Sequence, residues 1–431
     1  MKLIRTTGPG SAEAAAAIAA LEARGGAVLD AVLPTVARIV AAVRQGGDRP
    51  LLRFAAKFDG MAPRERLRIP QDEMAAAWGA TRPQLRKALT IAARQVRAFA
   101  KRQMPKTWAF EPVAGLRTGQ LVRSLSSVGC YVPSGRHPLP STLLMTVIPA
   151  QVAGVDRIVV ASPKPALETL AAAHLVGITE FYRVGGAHAV SALAYGTQSI
   201  QRVDKIVGPG NLYVTAAKRL VSFDCGIDML AGPTEIVVAS ETGNPREIAS
   251  DLVAQAEHDP DALAIFITTR RGLASEVIRE TRQLSRKNET AREALRRNGV
   301  VILTSNSDEM HEITNRLAPE HLTVDVESDL SWVRNAGSIF VGRWSAQAMG
   351  DYISGPNHTL PTGGMARIRG GLSVNDFVKL ITVQEYSKDA MSLLGPHVEL
   401  LAEAEGLAGH AEAVRTRLHA SSRKGKSRVG N

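Results

Sequence analysis

Residues 157–211 read RIVVASPKPALETLAAAHLVGITEFYRVGGAHAVSALAYGTQSIQRVDKIVGPGN. Arg157–Ala161 is an apolar strand, and a helical pattern follows over about 165–176. Phe181-Tyr182-Arg183-Val184 is a second strand; Gly185-Gly186 then opens a helix that runs to about Tyr195. Lys205-Ile206-Val207 is a third strand, and Gly208-Pro209-Gly210-Asn211 opens another helix. Strand, helix, strand at this spacing predicts βαβ units and a parallel sheet, hence an α/β fold.

Working outward, Val128–Pro133 is a short β-rich run that ends in Ser134-Gly135. Residues 11–24 and 30–45 carry apolar positions three and four apart and are predicted helices; Gly46-Gly47-Asp48 stops the second. A long helical pattern fills 71–103 and ends at Pro105. Downstream of Ala231-Gly232-Pro233-Thr234, Ile236–Val238 is a strand. Asn244-Pro245 caps a helix running through Gln255. Leu263–Thr268 is a strand, about 272–297 a helix and Val300–Leu303 another strand, so a second α/β block spans about 236–345. The last 50 residues read as mostly helical.

The 431 residues are long enough for two or more domains. At 45% hydrophobic and 22% charged, the composition is that of a packed globular chain and excludes general disorder. Cys130 and Cys225 are too few for a disulfide framework or a four-cysteine metal site, and a reducing, cytoplasmic setting is expected. Glu13 and Glu22 interrupt the Ala-rich N-terminus, which reads as a surface helix and not a signal peptide, and no run is long enough to span a membrane. The net charge is +11, with Arg423, Lys424, Lys426 and Arg428 in a Ser/Gly-rich tail. No nucleic-acid-binding pattern accompanies it.

Six stretches carry chemistry-bearing residues. The Gly185-Gly186 and Gly208–Asn211 turns follow strands and precede helices, a setting for phosphate or for an ordinary tight turn; neither is a G-x-G-x-x-G fingerprint. Gln255 and His258 share a helix face, as ligands of a divalent ion or as a helix-end hydrogen bond. Glu320-His321 at the start of a strand can supply a carboxylate and an imidazole base, or a surface Glu beside a half-buried His. Gly350–His358 is dense in Gly, Asp, Asn and His: Asp351 is a candidate metal ligand and His358 a candidate substrate contact, in a loop that equally suits a large capped turn. Glu405–His410 reads by itself as a plain helix start.

Taken together, GCYVPSGRHPLPST, VGGAHAVSALAYGT, KIVGPGNLYVTAAKR, GIDMLAGPTEI, LVAQAEHDPDA, LAPEHL, GDYISGPNHTLPTGG and AEGLAGH resemble the histidinol dehydrogenase family over about residues 30–418. The resemblance implies two Rossmann-like parallel-sheet domains, one of them discontinuous, with small helical terminal segments. The corresponding boundaries are 1–25 (N-terminal helical segment), 26–127 with 236–375 (zinc and catalytic domain), 128–235 (cofactor domain) and 376–431 (helical dimerisation segment with the basic tail). It implies a zinc- and NAD-dependent oxidation of L-histidinol to L-histidine by way of L-histidinal, with two NAD⁺.

Residue by residue, the resemblance implies Zn²⁺ on Gln255, His258, Asp351 and His410, with these same four and His321 also facing substrate. Glu320 would activate water, and His321 would shuttle the alcohol and hydrate protons. Substrate contacts fall on Thr234, His358 and Glu405, and nicotinamide-cofactor contacts on Tyr131, His188 and Asn211. It further implies a homodimer in which Glu405 and His410 complete the partner's site. Four positions depart from the common family residues: His188 stands for Gln, Thr234 for Ser, Ser134 for Gly and Leu230 for Pro. The rival readings are a superfamily dehydrogenase acting on another polar alcohol, a zinc hydrolase that uses Glu320 without nicotinamide, and a non-catalytic ligand- or nucleic-acid-binding protein.

Overall fold

A computed structural model of the chain describes residues 1–24, 27–134 and 138–420. The basic residues Arg423, Lys424, Lys426 and Arg428, and Gly135, Arg136 and His137 of the GCYVPSGRHPLPST motif, lie outside the described residues. The fold is α/β, with two parallel-sheet domains and small helical terminal segments. The chain forms two compact units, Met1–Met104 with Leu125–Phe377, and Pro105–Ser124 with the chain from Val378 onward.

The first unit holds two six-stranded sheets. In one, the order is Lys2–Arg5, Gly299–Leu303, Leu263–Thr268, Glu235–Ala239, His321–Val324 and Ser338–Val341, all parallel. Its central strands are apolar without alternation because helices cover both faces; all six residues of Leu263–Thr268 are buried. Ile18, Ile313 and Leu317 pack on one face, and Leu252, Val277 and Leu295 on the other.

In the other sheet the order is Arg68–Ile69, Glu180–Tyr182, Arg157–Ala161, Ser127–Tyr131, Lys205–Val207 and Gly226–Ile227. Only the two-residue Arg68–Ile69 edge runs antiparallel. Strand order reverses between Ser127–Tyr131 and Lys205–Val207, so a crevice opens at their C-terminal ends, where open α/β sheets bind ligands. The Pro140–Ala153 helix is apolar on all sides, and eleven of its residues are buried.

The second unit is an antiparallel sheet ordered Val378–Tyr386, Leu116–Ser124, Trp108–Val113, followed by the helices Lys388–Ala404 and Ala408–Ala420. Arg415 bridges these helices through Glu399 and Glu403 and also pairs with Glu412 on its own helix.

Several expectations differ from these pairings. Lys2–Arg5 is an edge strand of the first sheet, so residues 1–25 are not purely helical. Residues 26–127, expected with 236–375, divide: Arg68–Ile69 pairs with Glu180–Tyr182, and Val36, Val40 and Val43 join the core of the 127–227 sheet. Pro105–Ser124 goes to the second unit. The reason is that short edge strands and amphipathic helices fit either sheet by pattern alone, and only tertiary packing chooses. The pattern over 71–103 forms two helices, Gln71–Ala80 and Pro83–Gln103. Pro83 forces Arg82 out of the helical region and restarts the helix at its first position. The pattern over 272–297 likewise breaks, and Asn288 caps Glu289–Asn298 by accepting the Ala291 N–H at 3.0 Å. Cys130 and Cys225 are free and buried, and burial pushes both thiols up to about 12, which leaves them inert.

Candidate active site

Thr234 and Glu320 each stand one residue before neighbouring parallel strands, Glu235–Ala239 and His321–Val324, which are in register at Ile236 and His321. This places their side chains together. Glu320 Oε2 accepts the Thr234 hydroxyl at 2.6 Å and the Glu235 N–H at 2.7 Å. His321 Nδ1 lies 3.0 Å from the Glu235 carbonyl, an acceptor only, so Nδ1 carries a proton. In the neutral ring, Nε2 is then the basic atom, and it faces Asp351 Oδ1 at 3.7 Å. Burial alone would lower the His321 imidazole, but the negative charges of Glu320 and Asp351 hold it up to about 10.

Asp351 is the penultimate residue of the short Gln347–Tyr352 helix. Its Oδ2 accepts from Gln347 Nε2 at 3.0 Å, and Gln347 is almost wholly buried. A Cβ at Gly350 would stand 2.6 Å from the Phe340 ring, so a glycine is needed to bring this helix close. Burial would raise the Asp351 carboxyl, yet the hydrogen bond and the positive charge of His321 hold it below the usual carboxylate range. His358 Nδ1 donates to the Asp351 carbonyl at 2.9 Å, and its Nε2 accepts from Thr142 Oγ1 at 3.1 Å. Burial lowers the His358 imidazole, which suits this neutral role.

Gln255 lies in the last turn of the Pro245–Ala256 helix and is fully buried. Thr234 has one hydroxyl proton, which goes to Glu320, so it must accept from Gln255 Nε2. That fixes the amide orientation and leaves Gln255 Oε1 buried with no hydrogen-bond partner. A buried acceptor without a donor is costly. A cation satisfies it, and the nearby Asp351 carboxylate and the exposed His258 imidazole are matching donors. Among the described residues no three His, Cys, Asp or Glu side chains form a metal site by themselves. With the Gln255 amide counted as a member, this N/O set would suit a metal that draws its remaining ligands from elsewhere.

At the C-terminal ends of the second sheet, Tyr131 is buried, and its Oη accepts the Gly186 N–H at 3.1 Å. Burial pushes its phenol up to about 12, so it stays protonated. His188 is 1% exposed, with Nε2 2.9 Å from Asp59 Oδ2, which also accepts the Gly185 N–H at 2.9 Å. Asn211 is exposed and caps the Leu212–Val221 helix, accepting from Tyr213 N at 3.0 Å and Val214 N at 3.2 Å through Oδ1. Its amide N–H groups stay available to a ligand. Glu405 and His410 belong to the second unit, where both are exposed: Glu405 follows the Lys388–Ala404 helix and His410 lies in the first turn of Ala408–Ala420.

The Histidinol dehydrogenase family model matches residues 22–418. The chain belongs to the histidinol dehydrogenase family. It is 47% identical to the histidinol dehydrogenase of Methanothermobacter thermautotrophicus over 403 residues, covering 90% of this chain and 94% of that protein. It is 45% identical to the Geobacillus kaustophilus histidinol dehydrogenase over 393 residues, covering 88% and 92%. The crystal structure of histidinol dehydrogenase from Elizabethkingia anophelis superposes with a TM-score of 0.91 at 33% identity, covering 98% of this chain and 99% of that one.

Within this histidinol dehydrogenase fold, Thr234, Gln255, Glu320, His321, Asp351 and His358 form one polar network, with Tyr131 and His188 gathered around the Gly185-Gly186 turn. Sequence reasoning missed Thr142 and Asp59, which meet the site only through tertiary contacts, and Gln347, which bonds Asp351 from one turn earlier in the same helix. It also missed Glu235, whose carboxylate takes a bidentate bond from Arg24 at 2.6 and 2.7 Å. Nothing local marked Asp59: KFDG reads as an ordinary Asp-Gly turn, and the burial of its carboxylate is known only from the fold.

Proposed function

We propose that the chain oxidises L-histidinol to L-histidine by way of L-histidinal, using NAD⁺ and Zn²⁺, as the last two steps of histidine biosynthesis. The observation that supports this most is the unpartnered Gln255 Oε1 beside the Thr234–Glu320–His321–Asp351 network. Gln255, His258 and Asp351 would hold the zinc ion, with His410 from a second copy of the chain completing the set in a homodimer. Zinc held there would supply a fixed positive charge for orienting the substrate and would offset the negative field of Asp351 on His321. NAD⁺, when bound, would supply the two-electron acceptor for each oxidation.

The residues of the chain do the rest. His321, pinned through Nδ1 to the Glu235 carbonyl, presents Nε2 to take the alcohol proton. Thr234 and the Glu235 N–H hold Glu320, which takes a proton from the water that adds to the aldehyde. Thr234, His358 and Glu405 of the second copy orient the amino alcohol, and Tyr131, His188 and Asn211 seat the cofactor. Among the described residues no helix is long and apolar enough to cross a membrane, and with two free thiols a cytoplasmic enzyme is proposed.

Incubation with L-histidinol and NAD⁺, followed by chromatography, tests this reading. L-Histidine is expected to accumulate. Oxidation of other polar alcohols with L-histidinol untouched would move the chain to a different substrate within the superfamily.

A further inference from the structure

Lys218 and Asp228 form a buried ion pair that the proposed reaction does not use. Lys218, on the Leu212–Val221 helix, is 2% exposed, and Asp228, just after the Gly226–Ile227 strand, is 6% exposed. Lys and Asp are almost never buried this fully, and taking two charges out of water is unfavourable unless their remaining bonds are met. Here those bonds converge on one residue. Lys218 Nζ donates to Asp228 Oδ1 and, at 3.0 Å, to the Gly208 carbonyl. Asp228 Oδ2 accepts the Gly208 N–H at 2.7 Å, and Oδ1 accepts the Met229 N–H at 2.6 Å. Both backbone polar groups of Gly208 are therefore held by the pair.

Gly208 is the residue whose placement matters. Its φ is +115°, and a Cβ there would collide with the Tyr131 carbonyl oxygen, so the turn is pressed against the end of the Ser127–Tyr131 strand. That is the point where strand order reverses, and Asn211 follows three residues later as the cap of its helix. We infer that the Lys218–Asp228 pair is a positioning device that fixes the Gly208–Asn211 turn against Tyr131 to receive the nicotinamide dinucleotide. This rests on the cofactor reading given above. Both side chains act through Gly208, so they are positioning residues and not cofactor ligands.

Lys218→Met alone would strand the Asp228 carboxylate in the interior and mix instability with misplacement. The test is therefore the double variant Lys218→Met/Asp228→Asn in the full-length, zinc-loaded protein, since removing both charges at similar volume is often tolerated. NAD⁺ is titrated by calorimetry, Tm and the KM for L-histidinol are recorded, and amide hydrogen exchange is followed over residues 205–214. The expected result is a near-native Tm and an L-histidinol KM within about twofold, with the NAD⁺ Kd raised at least about tenfold. Amides 208–214 are expected to exchange faster. Native NAD⁺ affinity together with native exchange would overturn the inference, as would a parallel loss of Tm and of both ligand affinities. Should the double variant not fold, Asp228→Glu, which keeps the charge and moves the carboxylate by one methylene, is judged by the same readouts. Should the unaltered chain bind no NAD⁺, the cofactor reading falls, and the exchange of amides 208–214 alone decides the positioning claim.

Discussion

Thr234 Oγ1 lies 2.6 Å from Glu320 Oε2, so a residue proposed to orient substrate is bonded to the residue proposed to activate water. The same hydroxyl accepts from Gln255, a proposed zinc ligand. Thr234→Val would leave Glu320 and Gln255 each short of a partner, at about 1–3 kcal/mol per group. A loss of about 10- to 100-fold in kcat/KM is expected. Thr234→Ser keeps the hydroxyl and should stay within a few fold. An equal loss in both variants would show that the methyl group, and not the hydrogen bonds, matters.

His321 is held by Nδ1 on the Glu235 carbonyl and presents Nε2 to the site. His321→Asn should lower kcat by at least about 100-fold with the circular dichroism spectrum unchanged. Unchanged kcat would remove it as the base.

Gln347 Nε2 bonds Asp351 Oδ2 and leaves Oδ1 facing His321. Partners that orient a ligating carboxylate typically contribute about 10- to 100-fold in metal affinity. Gln347→Ala should therefore lose zinc to a competing chelator at about 10- to 100-fold lower chelator concentration. Zinc retention equal to that of the unaltered chain would show that Asp351 does not need this amide, or does not bind the metal.

If His410 completes a second copy's site, inactive His410→Ala and His321→Ala variants should complement when their subunits are exchanged. Random mixing makes half the dimers mixed, each with one intact site, so about a quarter of native activity is expected. No recovery despite demonstrated exchange would place His410 elsewhere.

Asp251, on the Pro245–Ala256 helix, has its carboxyl pushed up to about 6 by burial and the Glu247 charge, against a hydrogen bond from the Gln347 backbone. The folded state then binds a proton more tightly than the unfolded state. Stability falls as pH rises from about 4 to 6 and stays lowered above that. Asp251→Asn should raise stability at pH 8 by about 1–2 kcal/mol, allowing for partial exposure, with the gain vanishing near pH 4. Urea midpoints at the two pH values check this. An equal gain at both would exclude the charge as its cause.

The inner strands were legible because a parallel strand covered on both faces is a continuous apolar run, as in Leu263–Thr268, and the glycine turns punctuated them. The edges were not legible. Lys2–Arg5 and Arg68–Ile69 are too short to show a period, and Val378–Tyr386, with nearly every residue exposed, lacks a buried face to mark it. Within the site, Glu320-His321 and the Gly350–His358 loop stood out as local clusters. Their geometry did not, because Thr142 and Asp59 are brought in from over 120 residues away in sequence. Gln347 is only four residues from Asp351, but an amide in a helix carries no signal until its burial is known. His188 could be recognised as a departure in sequence, but its pairing with buried Asp59 emerged only from the fold.

The most direct measurement is NADH absorbance on mixing the purified chain with limiting L-histidinol and excess NAD⁺, before chelation, after it, and after zinc is returned. Two NADH per L-histidinol, abolished by chelation and recovered with zinc, is the expected result. One NADH per L-histidinol with release of the aldehyde, or two NADH from metal-free protein, would contradict a zinc-dependent four-electron oxidation.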